Sequence, residues 1–178
     1  MSVQSALHGI CTYLGGAYDA QTRTYRSSTI PSVGVVRRAF AKADDHADYY
    51  RGQPTGARTG CQMVVTIYRS TEFRVALGGE HGGMKQRNFD VELGCFLRSR
   101  TAYAEDAQDD VYALQDAIVE RLRADRTLGG AVFQAGEYID GNAALAGITF
   151  TYGQPEVRSE LTKSYLGVTF AACEFVAT

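Results

Sequence analysis

Between residues 86 and 98 apolar and polar side chains alternate with a period of two: Phe89, Val91, Leu93, Cys95 and Leu97 fall on one side, and Asn88, Asp90 and Glu92 on the other. Successive side chains of a strand point to opposite faces, whereas a helix would scatter these positions around its axis. The segment is therefore read as a strand with one wholly apolar face. Such a face needs further strands beside it and a cover above it, because an isolated hairpin is at best marginally stable in water.

The rest of the chain supplies both. Residues 61–69 carry Cys61, Met63, Val65 and Ile67 on one face, and Phe73, Val75 and Leu77 alternate with Arg74 and Ala76 in a paired strand. Pro31 opens a valine-rich strand over 32–40, and residues 164–176 close the chain with Leu166, Val168, Phe170 and Ala172 on one face. Shorter extended pieces are expected at 131–133, 148–152 and 155–157. Two helices provide the cover. Val3, Leu7, Ile10, Cys11 and Leu14 make an apolar stripe at helical spacing, with Ser2 as N-cap and Gly15-Gly16 after it. The second helix spans about 104–124 on Val111, Leu114, Ile118 and Leu122, acidic in its first turns and basic in its last, with Gly129-Gly130 terminating it. Residues 19–29 read as a loop, and 42–59 as a long exposed connection with at most a short helical turn. The expected fold is α+β: a mostly antiparallel or mixed sheet with two main helices on one face, in a single domain spanning all 178 residues.

Charge and motifs narrow the function. The formal net charge of −2 provides no basic field for general nucleic-acid binding. Cys11, Cys61, Cys95 and Cys173 lie far apart within apolar runs, the pattern of reduced, buried cysteines in a reducing compartment. Residues 1–10 lack a basic stretch followed by an apolar run, so no signal peptide is expected, and no apolar run is long enough to span a membrane. His8 and Cys11 share a helix face but have no second pair at zinc spacing. The run Gly78-Gly79-Glu80-His81-Gly82-Gly83 leads into a strand, so it lacks the helix N-terminus a phosphate loop requires, and Glu80-His81 lacks the second histidine of a zinc-protease motif. Glu105, Asp106, Asp109 and Asp110 do not follow EF-hand order; they form a solvated helix start and a candidate acidic surface. Neither GxSxG nor SxxK occurs. Tyr49, Tyr50 and Tyr103, beside charges but without a basic field, are read as protein-contact residues. No catalytic residue, metal or cofactor is expected, and the chain is read as a non-enzyme.

The second helix carries a resemblance. Ala113-Leu114-Gln115-Asp116-Ala117-Ile118-Val119-Glu120-Arg121-Leu122, followed by Leu128-Gly129-Gly130-Ala131-Val132, resembles the helix-then-LGG-V element of the tail terminator proteins of long-tailed bacteriophages. The closing strand Tyr165-Leu166-Gly167-Val168-Thr169-Phe170 is similar to that family's last strand, as is the opening order of helix, loop, Pro31 and valine-rich strand. As an ordered pattern the resemblance covers most of the chain, with extra length expected as insertions near 42–59 and 140–160.

The resemblance implies a structural virion protein, assembled in the host cytoplasm. Its subunits would form a homo-oligomeric ring, a hexamer in that family, at the head-proximal end of the tail tube. The ring stops tube polymerisation and docks the head-completion or connector protein, and DNA passes through it without specific binding. A slightly acidic chain suits such a passage. The loop Gly78, Gly79, Glu80, His81, Gly82 and Gly83 is then the candidate contact with a neighbouring subunit or the tube end. Two alternatives stand beside this reading: another neck component, such as a head-completion or tail-completion protein, and a small ligand-binding or enzymatic α+β domain whose site is assembled only by folding.

Overall fold

The computed structural model describes residues 2–15, 18–42, 46–77, 83–136 and 147–177. Helix α1, Val3–Tyr13, begins with a reciprocal capping box. The Ser5 amide donates to Ser2 Oγ at 3.1 Å and the Ser2 amide to Ser5 Oγ at 2.8 Å. The stripe it buries is Ala6, Ile10, Cys11 and Leu14, whereas Val3 is exposed.

Residues 19–29, expected as loop, include a small ribbon of β1, Tyr18–Asp19, and β2, Thr24–Tyr25. Its turn closes on the Asp19 carboxylate, which accepts from the Gln21 amide at 2.8 Å, and these amides hold its pKa below the ordinary aspartate value. Strand β3, Val33–Arg37, is shorter than expected: pairing stops at Arg37, and Phe40 is 95% exposed.

The segments expected as separate strands at 61–69 and 73–77 are one strand, β4, Thr59–Leu77. Its partner β5, Gly83–Ser99, pairs with it antiparallel along the whole length, so the polar stretch Ser70-Thr71-Glu72 is held by the ladder and does not turn. Extra residues at Tyr68 and Val75 shift the register as β-bulges.

Helix α3 is Ala104–Ala124, the expected span. It ends at Asp125, ahead of the glycines; the Asp125 carboxylate then takes the amides of Thr127 (2.8 Å) and Gly129 (2.9 Å). Leu128, Gly129 and Gly130 all follow with positive φ. The next strand, β6, is Gln134–Gly136, three residues after the expected start. Strands β7, Thr149–Tyr152, and β8, Glu156–Arg158, precede the long closing strand β9, Leu161–Ala177.

The sheet runs β3-β4-β5-β9, and β6, β7 and β8 occupy successive stretches of the outer edge of β9. Among the described residues β3 and β4 form the one parallel pair. Helices α1 and α3 pack on one side of this mixed sheet, so the α+β arrangement expected from the sequence holds. Ile10, Leu14, Val111, Leu114 and Ile118 meet Met63, Val65, Phe89, Leu93, Leu166 and Val168 in one continuous core. Tyr13 and Arg121 lock the two helices together: Tyr13 Oη donates to the Arg121 carbonyl at 2.7 Å, and Arg121 Nη2 to the Tyr13 carbonyl at 2.8 Å. All four cysteines are free and buried, and burial pushes the Cys11 thiol up to about 12.

On the far side of the sheet part of 42–59, expected as a long exposed connection, is packed down; residues 43–45 lie outside the described residues. Helix α2, His46–Tyr49, lies against the backbone of β3 and β4, where Gly34 and Gly60 leave it room. A Cβ at Gly34 would lie 2.2 Å from the Asp48 carbonyl oxygen, and one at Gly60 2.6 Å from that of Tyr49. Gln62, fully buried beneath the connection, donates to the Lys42 carbonyl at 2.9 Å and accepts from its amide at 3.1 Å. Of the other expected insertion, 140–146 lies outside the described residues, and the remainder contributes β7 and β8 to the sheet.

Candidate assembly surface

Beyond Phe89 the helix side of the sheet changes character. The apolar positions of β5 give way to Arg87 and Lys85; Glu72 and Glu174 stand opposite Arg87, and Arg74 and Val176 opposite Lys85. Glu72 accepts from Lys85 Nζ at 2.9 Å and Arg87 Nη2 at 2.6 Å, while Arg87 Nη1 reaches Glu174 at 2.8 Å. These bonds hold the Glu72 carboxyl below the ordinary range. A ladder of alternating charge replaces the helices as the cover here, and strands β4, β5 and β9 continue beyond the core as a three-stranded arm.

The far side of the arm is apolar and open. Phe73, Gln86 and Phe175 stand in one cross-strand row. Phe73, Val75 and Met84 are each 44% exposed and Phe175 40%. Phe133, 60% exposed, packs edge-on against Phe175 with ring centroids 4.8 Å apart. Grouped exposed apolar side chains of this kind mark contact surfaces more often than isolated ones do. The register Leu77↔Gly83 closes the arm, so the candidate loop connects its two strand ends. Gly78, Gly79, Glu80, His81 and Gly82 lie outside the described residues; Gly83 is the first residue of β5, already paired.

The acidic cluster on α3 is only partly a free surface. Glu105 and Asp109 are exposed. Asp110 is bound by the Arg58 guanidinium and accepts from Thr59 Oγ1 at 2.5 Å, and Asp106 accepts from Thr101 Oγ1 at 3.1 Å. Asp110 thus fastens the start of α3 to the entry of β4, and Asp106 ties it to the connection that follows β5, a correction to the solvated cluster expected from the sequence. The Asp110 carboxylate raises the Arg58 pKa in return.

The sequence did not foretell the ionic cluster beneath α2. Asp48, 4% exposed, lies between Arg37, to which it is directly paired, and Arg51 Nη2 at 2.8 Å. The Tyr25 ring covers Arg37 at 4.4 Å. Arg98 lies over the Tyr49 ring at 4.2 Å, with its Nη1 2.6 Å from His46 Nδ1, and Tyr50 Oη donates to the Arg98 carbonyl at 3.1 Å. Tyr49 is therefore a buried packing residue and Tyr50 a half-buried one whose hydroxyl is bonded internally, so neither is the exposed residue expected, while Tyr103 is exposed. The signal available in the sequence was the interleaving of Tyr49-Tyr50-Arg51 with Asp48, whose partners Arg37 and Arg98 are remote along the chain.

His8 is exposed while Cys11, one turn away, is buried, so the two do not face a common site. Among the described residues no group of three or more His, Cys, Asp or Glu side chains could hold a metal ion, and no helix is long and apolar enough to cross a membrane. No known protein-family profile matches the chain, and no curated protein is similar to it.

Proposed function

We propose that the protein is a structural subunit that works by assembly, forming the ring at the head-proximal end of a bacteriophage tail tube that terminates the tube and joins it to the head. The observation that carries this reading is the arm. It offers the open apolar side of Phe73, Met84 and Phe175, backed by a charged ladder that keeps the three strands together without a helix. The helix-covered body anchors it, and burying such aromatic side chains is a common source of interface energy. The order of elements that resembles tail terminators supplies the specific assembly. A homo-oligomeric ring, most simply a hexamer, would contact the tail tube protein on one face and the head-completion or connector protein on the other, and DNA would pass through without specific contacts.

The test is imaging of the purified chain alone and after mixing with purified tail tubes. Rings, and tubes of fixed length closed at one end by a ring, are expected. Tubes that continue to grow in its presence would overturn the reading.

A further inference from the structure

From residue 65 to the end of β4 at Leu77 the outer edge of this strand has no partner among the described residues, because β3 pairs only with Cys61, Gln62, Met63 and Val64. We propose that this edge pairs antiparallel with the same edge of a second copy of the chain, about a two-fold axis through Thr71. The inference concerns the free protein and does not rest on the ring reading.

An open edge presents alternate amides and carbonyls that template another strand, and proteins usually blunt such edges with charged side chains, proline or bulges. Residues 65–77 contain neither lysine nor proline, and their charges, Arg69, Glu72 and Arg74, are of both signs, so a second copy can meet them without like-charge opposition. Their two bulges, at Tyr68 and Val75, leave a regular stretch between them. The partner must offer an edge of similar length. Strand β3 has 5 residues, β6 3, β7 4 and β8 3, so β4 itself is the match among the described strands.

The register follows from faces and charge. Arg69, Thr71 and Phe73 lie opposite Asp90, Asn88 and Gln86 on the far side, whereas Ser70, Glu72 and Arg74 lie opposite Phe89, Arg87 and Lys85 on the helix side. A two-fold axis normal to the sheet keeps each face on its own side, so it must pass through a residue. Centred on Glu72 it would set two carboxylates directly opposite, which is unfavourable. Centred on Ser70 it would reach the Tyr68 bulge after three regular residues, Arg69 to Thr71, against the five, Arg69 to Phe73, of a centre at Thr71. Centred on Thr71 it sets Arg69 against the partner's Phe73 and Ser70 against the partner's Glu72, twice each, with no like charges opposed. The first pair brings a guanidinium to an aromatic ring and the second a hydroxyl donor to a carboxylate. The open apolar sides of the two arms then lie on one continuous surface.

The experiment uses the full chain carrying Thr71→Cys, at an exposed position where the side chain is not needed for packing. Directly opposed residues in an antiparallel ladder have Cα atoms about 4.5–5.5 Å apart, within the roughly 4.4–6.8 Å that a disulfide spans. The four native cysteines are buried. Mild oxidation should convert Thr71→Cys to a covalent dimer, while Thr66→Cys forms no covalent dimer. Sedimentation equilibrium of the unsubstituted chain should show reversible dimers, and Phe73→Lys should weaken them at least about tenfold, the equivalent of 1.4 kcal/mol. A Thr71→Cys chain that keeps its thiol free, or equal crosslinking through Thr66→Cys, would overturn the proposal. Rings that form without the Thr71→Cys crosslink would overturn it while leaving the ring reading intact; crosslinked dimers that never cap tubes would sink the ring reading alone.

Discussion

The same three strands behave differently at their two ends. In the body of the sheet the alternation of β5 places Phe89, Val91, Leu93, Cys95 and Leu97 under α1 and α3, and all are effectively inaccessible to water. In the arm the alternation continues, but charged residues occupy the helix side and the apolar positions Phe73, Met84 and Phe175 turn to the open side. Period two alone thus defines a strand with two chemically distinct faces. What lies over the apolar face depends on where the helices end, and the arm has none to spare. Stability concentrates in the body and unsatisfied apolar surface in the arm.

That contrast predicts unequal costs for like substitutions. Phe89→Ala should lower unfolding free energy by about 3–5 kcal/mol, the usual range for a buried phenylalanine. Phe175→Ala should cost about 1 kcal/mol, mainly the edge-on contact with Phe133. Urea denaturation of both variants checks this, and equal losses would mean that the arm is part of the cooperative core. Next in size is Asp48→Ala. It leaves the Arg37 guanidinium, 2% exposed, buried without its counter-ion, and breaking such a pair costs about 3–5 kcal/mol at most, less where the guanidinium can swing out. Loss of the Arg37–Asp48 bond should also loosen α2 from Gly34 and Gly60 and speed amide exchange in His46–Tyr49; exchange unchanged from the parent would show that the cluster does not hold the connection down.

The elements legible in the sequence were those whose pattern is local. Helix α3 announced itself through Val111, Leu114, Ile118 and Leu122 with charges suited to its dipole, and β5 through its five alternating apolar positions. The joined strand β4 was not legible, because Ser70, Thr71 and Glu72 carry no strand signal of their own and are ordered by pairing with Phe89, Asn88 and Arg87. The role of 42–59 was hidden for a similar reason: Asp48, Tyr49 and Gln62 are polar or mixed in character and are buried by partners such as Arg37 and Arg98, which local periodicity cannot reveal. Of the candidate site, the loop between Leu77 and Gly83 was visible as a glycine cluster, but the apolar surface behind it was not, since Phe73 and Phe175 look like any other strand residues until the helices are seen to stop short of them.

The smallest effect on the fold is expected where the functional effect is expected to be largest. Leu77 and Gly83 already face each other across an antiparallel pair, so a two-residue Asn-Gly turn in place of residues 78–82 can join the strands directly. Replacing three glycines also shortens the closed loop, and both changes reduce the chain entropy lost on folding. The variant should therefore unfold within about 0.5 kcal/mol of the parent, the range of a surface change. On the proposed function it should nevertheless fail to cap tail tubes, giving tubes of uncontrolled length or tails that do not join heads, because the contact with the neighbouring subunit or tube end is assigned to this loop. Thermal unfolding and imaging of the same preparation separate the two effects. A variant that loses its fold would show that the loop is a structural member of the arm. One that folds and caps normally would move the contact down the arm to the exposed side chains of Phe73, Met84 and Phe175.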